Sequence, residues 1–227
     1  KDFSDAIYGV EDDNRYVTEP RLKTMLGHEI DLIEERLSRK KHPEKLFFSY
    51  ANTVATINFS KKFKGHGWVG IRFQLDPLED YNEIVLHLRF KETDARLQQD
   101  NLDKDQLEID MINFSGPRFM YVDNRLMSLQ LVKNGMTNAV MFDSDGNNLL
   151  PAQILYKKNI LALRGSFRPV TKVNMDMFEK SKEMFFSEKK VDPKNTQIIF
   201  EITLANLRAE GEINERDFLD RAELLCS

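Results

Sequence analysis

The stretch Ile160–Phe178, ILALRGSFRPVTKVNMDMF, decides how the second half of this chain is read. It opens on a short apolar run of strand type. Gly165-Ser166-Phe167-Arg168-Pro169 interrupts that run, and a helical pattern follows over MDMFEKSKEMFFSE, residues 175–188. A strand that stops on glycine and restarts as a helix sets unsatisfied helix N–H groups beside a backbone able to approach a ligand closely. Such a turn suits a phosphate. A tight turn that binds nothing has the same outline.

Working outward, TQIIFEITLANL (196–207) reads as the next strand, so a strand-helix-strand unit runs through the quoted stretch. Upstream the same rhythm appears. LEIDMINF (107–114) reads as a strand and RLMSLQLVKNG (125–135) as a helix closed by Gly135, with TNAVMF (137–142) a strand again. Units of this kind form parallel pairs with a right-handed crossover. The expectation for residues 101–227 is therefore an α/β, Rossmann-like module with a parallel or mixed sheet and covering helices. Ligands of such sheets gather at the C-terminal ends of the strands. The loop SGPRFMYVDN (115–124) should then open on the same side as Gly165, which makes Ser115, Gly116 and Arg118 candidates to line one pocket with it. A plain connecting loop capped by Asp123 or Asn124 is the alternative.

Residues 1–100 have another character. Residues 1–19 are a polar, acidic arm. Leu22, Leu26, Ile30, Ile33 and Leu37 recur at helical spacing between Pro20 and Pro43. KLFFSYANTVATINFS, GWVGIRFQL and NEIVLHLRF then read as strands of one sheet with that helix packed on it, an N-terminal α+β module. The polar run KETDARLQQDNLDKDQ (91–106) is read as the module boundary.

With 227 residues, 41% apolar and 31% charged, the chain has enough apolar material for a sizeable core. A net charge of −4 gives no bulk attraction for nucleic acid or an anionic membrane, and neither is expected as a partner. The single cysteine, Cys226, excludes an internal disulfide and a cysteine-based zinc cluster. No apolar run reaches the roughly 20 residues of a membrane helix, and the first residues lack a signal layout. The expected location is cytoplasmic. Lys1 and the interrupted helical pattern of DFLDRAELLCS read as cut ends. Homo-oligomerisation is left open.

The order of residues in GSFRPVTKVNMDMF resembles the signature of the nucleotidylyltransferase superfamily, Gly-(Ser/Thr)-Phe-Asp-Pro-hydrophobic-(His/Thr)-x-Gly-His, placed after a strand and opening a helix. Gly165, Ser166, Phe167, Pro169, Val170 and Thr171 fall on matching positions, as does Asp176 beyond them. Arg168, Val173 and Asn174 stand where the pattern has Asp, Gly and His. The chain as a whole resembles larger bacterial proteins labelled as nicotinate-nucleotide adenylyltransferases. The resemblance implies a small-molecule nucleotide partner, with ATP and Mg2+ as cofactors and adenylyl transfer to a mononucleotide such as nicotinate mononucleotide. It implies Gly165, Ser166, Phe167 and Arg168 as the phosphate cradle, and Thr171 and Asn174 at the catalytic positions. Asparagine in place of the histidine loses a charged donor. Losses of that kind cost about 2.7–4 kcal/mol of barrier. The alternative is a non-catalytic nucleotide-sensing or scaffold protein.

Three other patterns carry more than one reading. Asp143-Ser144-Asp145-Gly146-Asn147 after an apolar run reads first as a hairpin turn. Its rivals are a phosphatase motif, with Asp143 as nucleophile and Asp145 as acid/base, and an oxygen-rich metal loop. KKFKGHGW (61–68) reads as a solvated turn rather than a nucleic-acid patch. His28, His42, His66 and His87 have no metal-ligand spacing, and no metal site is expected. His87 reads as a packed strand residue.

Overall fold

The computed structural model describes residues 17–55, 65–91, 106–209 and 211–226. The acidic arm up to residue 16, the lysines of the 61–64 patch and the run 92–105 lie outside the described residues. The protein is mixed α/β and divides into two compact units, residues 1–139 and 140–227.

In the first unit, helix α1 (Glu19–Leu37) begins at Thr18, whose hydroxyl accepts the Arg21 N–H at 3.3 Å. Pro20 fits the first turn, where its missing N–H is not needed. The helix ends at Ser38, which adopts φ 47° and returns its N–H to the Glu34 carbonyl. Leu22, Leu26 and Ile30 are its buried stripe. Strands β1 (Phe48–Ala55), β2 (His66–Phe73), β3 (Asn82–Phe90) and β4 (Leu107–Ser115) form one antiparallel sheet in the order β1-β2-β3-β4. A side chain at Gly70 would meet Leu26 at 2.7 Å and Leu22 at 2.9 Å, so this glycine lets α1 lie directly on β2. Ala51, Trp68 and Val85 are buried on the same face.

Beyond β4 the chain turns at Gly116 (φ 108°), where a side chain would strike the Tyr81 carbonyl at 2.6 Å. A 3-10 turn, Pro117–Phe119, leads to α2 (Asn124–Lys133). Asp123 caps α2, and Asn124 bridges both backbone groups of Phe114. The parallel unit expected over 107–142 therefore does not form. β4 pairs antiparallel with its sequence neighbour β3, register Glu83↔Ser115 to Phe90↔Leu107. The chain leaving α2 touches the free edge of β4 through the backbone bond from Ile109 N–H to the Met136 carbonyl at 3.1 Å, and the Thr137 hydroxyl donates to Glu108 Oε1 at 2.7 Å. Strand 107–115, read as opening the second module, belongs to the first.

The second unit opens with a hairpin of β5 (Met141–Phe142) and β6 (Asn148–Leu149), followed by one helical turn, α3 (Pro151–Ile154). Strand β7 (Asn159–Arg164) leads through the quoted turn to α4 (Lys172–Ser187), and β8 (Thr196–Glu201) returns parallel to β7. Short α5 (Leu204–Leu207) and α6 (Glu215–Cys226) complete the unit. Parallel pairing is confined to β7 and β8 among the described residues. None of the described helices is long and apolar enough to cross a membrane.

Candidate functional site

The turn after β7 continues the sheet by one bond, Gly165 N–H to the Glu201 carbonyl at 3.1 Å. That amide is therefore not aimed at a ligand. A side chain at Gly165 would lie 3.1 Å from the Phe167 ring, so the glycine makes room for that ring. Phe167 adopts φ 47°, is 5% exposed, and meets Phe200 edge-on at 5.8 Å. Its side chain is core, not cradle.

Thr171 and Asn174 form a reciprocal cap on α4. Thr171 N–H donates to Asn174 Oδ1 at 2.9 Å, Asn174 N–H donates to Thr171 Oγ1 at 3.3 Å, and the Thr171 hydroxyl donates to Asn174 Oδ1 at 2.8 Å. This is a capping box with asparagine in the place usually taken by Glu or Gln. It leaves the Lys172 and Val173 amides, in the first turn, without a partner among the described residues. Arg168 pairs with Asp217 of α6, Nε to Oδ1 at 3.0 Å. Arg221, one turn along α6, holds the Ser166 carbonyl at 3.0 Å and Asp217 at 2.5 Å.

Beside this turn lies a shallow cleft of about 150 Å³ between the C-terminal half of β7 and the first turns of α4. Ala162, Leu163, Arg164, Phe167, Asn174, Met177 and Ser181 line it. The structure thus brings Phe167 and Asn174 to one cleft at a strand end. Ser115, Gly116 and Arg118 belong to the other unit, Ser115 at the end of β4 and the other two in the turn that follows it. There Arg118 pairs with Asp76 and with Glu79 (2.6 Å), and its N–H donates to Asn82 Oδ1 at 2.7 Å.

The Asp143 loop is a hairpin turn. Asp143 Oδ1 accepts the amides of Asp145 (2.9 Å) and Asn147 (2.8 Å), and Oδ2 accepts from the Asn147 side chain at 3.0 Å. The Asn147 contacts above all hold its carboxyl below the usual carboxylate range. Both oxygens are engaged in turn geometry, with Gly146 at φ 82° completing it.

One constellation escaped the sequence reading. His87, 3% exposed on β3, lies 2.6 Å through Nδ1 from Asp110 Oδ1 and 3.0 Å through Nε2 from His66 Nδ1. Arg89 Nε is 2.8 Å from Asp110 Oδ2, near enough for an ion pair though outside hydrogen-bond angles. Trp68 lies beside His87, with ring centres 4.8 Å apart and ring planes tilted by 59°. The device that assembles this row is a β-bulge. His87 pairs with Met111 and Leu88 with Ile109, which leaves Asp110 as the extra residue. Bulges re-aim side chains in this way. The alternation of polar and apolar residues in NEIVLHLRF was visible, but a bulge has no such signature.

Among the described residues no group of three His, Cys, Asp or Glu side chains is placed to hold a metal ion. Comparison with family models, curated proteins and solved structures finds no match to the chain.

Proposed function

We propose that the turn between β7 and α4 receives the phosphate of a mononucleotide and holds it without transferring it. The observation that carries this reading is the cleft at the end of β7, where Phe167 and Asn174 meet Arg164 and the first turn of α4. The amides of Lys172 and Val173 and the helix dipole favour an anion there. On this reading β7-α4-β8 is the nucleus of a Rossmann-like sheet, and the protein works in the cytoplasm, where ATP is available. Asn174 argues for holding rather than turnover. It is uncharged, and its Oδ1 is engaged in the cap.

The second reading is adenylyl transfer from ATP to a mononucleotide. The strand-turn-helix order from Gly165 to Thr171 favours it. Positioning and charge neutralisation are the protein's share of such a reaction. The cleft lining contains no carboxylate, so the chain's own residues do not fit a protein-held magnesium. Incubation with ATP, magnesium and nicotinate mononucleotide separates the readings. Nucleotide-dependent thermal stabilisation without pyrophosphate release supports holding, and pyrophosphate release supports transfer. The absence of both responses overturns both readings.

A further inference from the structure

We infer that Asp217 is a built-in competitor for the anion: its carboxylate bridges Arg168 and Arg221, and it gives way when a phosphate enters the turn. The inference rests on the phosphate-binding reading above and names the regulation of that site.

Two guanidinium groups take one carboxylate. Arg168 Nε meets Oδ1 at 3.0 Å and Arg221 Nη2 meets Oδ2 at 2.5 Å. Two arginines engaging separate oxygens of one planar anion are the arrangement that also suits a phosphate group. Both arginines bear on the turn itself. Arg168 is part of it, and Arg221 Nη1 holds the Ser166 carbonyl at 3.0 Å. Arg221 is 5% exposed, and its buried Nε has no hydrogen-bond partner. A buried guanidinium N–H left unsatisfied is costly, and a phosphate has more acceptor oxygens to offer than a carboxylate. Asp217 is the interchangeable member of the set, because it sits in the first turn of α6 and its side chain is 16% exposed.

The test measures pyrophosphate and ATP binding by calorimetry with wild type, Asp217→Asn and Asp220→Asn. Asp220 is exposed on the same helix and controls for net charge. Asp217→Asn should bind pyrophosphate about tenfold more tightly than wild type, with Asp220→Asn unchanged. Adding Arg221→Gln to Asp217→Asn should abolish the gain. Equal affinity of wild type and Asp217→Asn, or the same gain in Asp220→Asn, overturns the competitor and leaves phosphate binding standing. No binding by either overturns both. A readout on the intact wild type guards against a variant that fails to fold. The Arg221 Nε–H resonance should shift on pyrophosphate titration, and a resonance that stays fixed while pyrophosphate binds overturns the inference.

Discussion

Tyr81 stands half-buried just before β3, its hydroxyl donating to Glu34 and accepting from Arg39 at 2.5 Å. Arg39 also pairs with Glu34 at 2.6 Å and lies over the rings of Phe47 and Tyr81. Burial, and then the Glu34 carboxylate, push the phenol up to about 12 from 10.0. The folded state therefore favours the neutral phenol. Its stabilisation is complete below about pH 10 and is lost as pH rises through about 12. Denaturant titrations of wild type and Tyr81→Phe should show wild type losing more stability than the variant over that window. Identical pH profiles would refute the assignment. His87 makes the opposite kind of case, a buried polar side chain with a partner on each ring nitrogen. Two imidazoles 3.0 Å apart need one donor and one acceptor between them. Removing the ring leaves Asp110 buried with one partner fewer. His87→Ala should lower unfolding free energy by about 3–5 kcal/mol. The double variant with Asp110→Ala should cost less than the sum of the single ones, which a double-mutant cycle reads directly.

At the scale of elements, prolines and glycines carried the legible information, and long-range pairing did not. Pro20 marks the start of α1 and both helices lie near where the apolar spacing puts them, whereas Thr18 and Thr171, which cap them in the structure, were not legible as caps. The unit β7-α4-β8 was readable because a strand, a turn and a helix follow within one short stretch. The partner of β4 was not readable. Its alternation suits a parallel or an antiparallel neighbour equally well, and register is fixed by contacts the local pattern does not encode. The turn at Gly165 teaches a related lesson. Glycine there admits an aromatic ring as well as it would admit a phosphate, and the residue type alone does not separate the two. Likewise Asn174 closes a cap while lining a cleft. The cap makes its own prediction. Thr171→Ala should destabilise by about 0.5–2 kcal/mol, because it removes the acceptor for Asn174 N–H. Thr171→Ser should retain most of that stability. Equal losses in both would mean that the methyl group, not the hydroxyl, matters.

Across the whole molecule the two units differ in how much apolar surface they bury. In the first unit Leu22, Leu26, Ile30, Ala51, Trp68 and Val85 lie between α1 and the sheet, and β2 and β3 have a hydrogen-bonded neighbour on both edges. In the second, the buried apolar residues among those described are Leu150, Phe167, Leu207 and Phe218. Its parallel pair is all edge. Ile160 is 40% exposed on β7 and Phe200 is 39% exposed on β8, while Met175, Met177 and Met184 of α4 are exposed as well. A two-stranded sheet with little burial opens readily, because each local opening uncovers little apolar area. Composition could not reveal this, since apolar residues are plentiful in both halves of the chain and only the pairing decides which become buried. Hydrogen exchange measured residue by residue should separate the units. Amides of Trp68–Ile71 and Val85–Leu88 should exchange about 100-fold more slowly than those of Leu161–Leu163. Saturating pyrophosphate should slow the β7 and α4 amides selectively if the turn binds it, since a ligand raises the free energy of only those openings that release it. Equal protection in the two units without ligand would show instead that the parallel pair opens only together with the four-stranded sheet, as part of one cooperative unfolding.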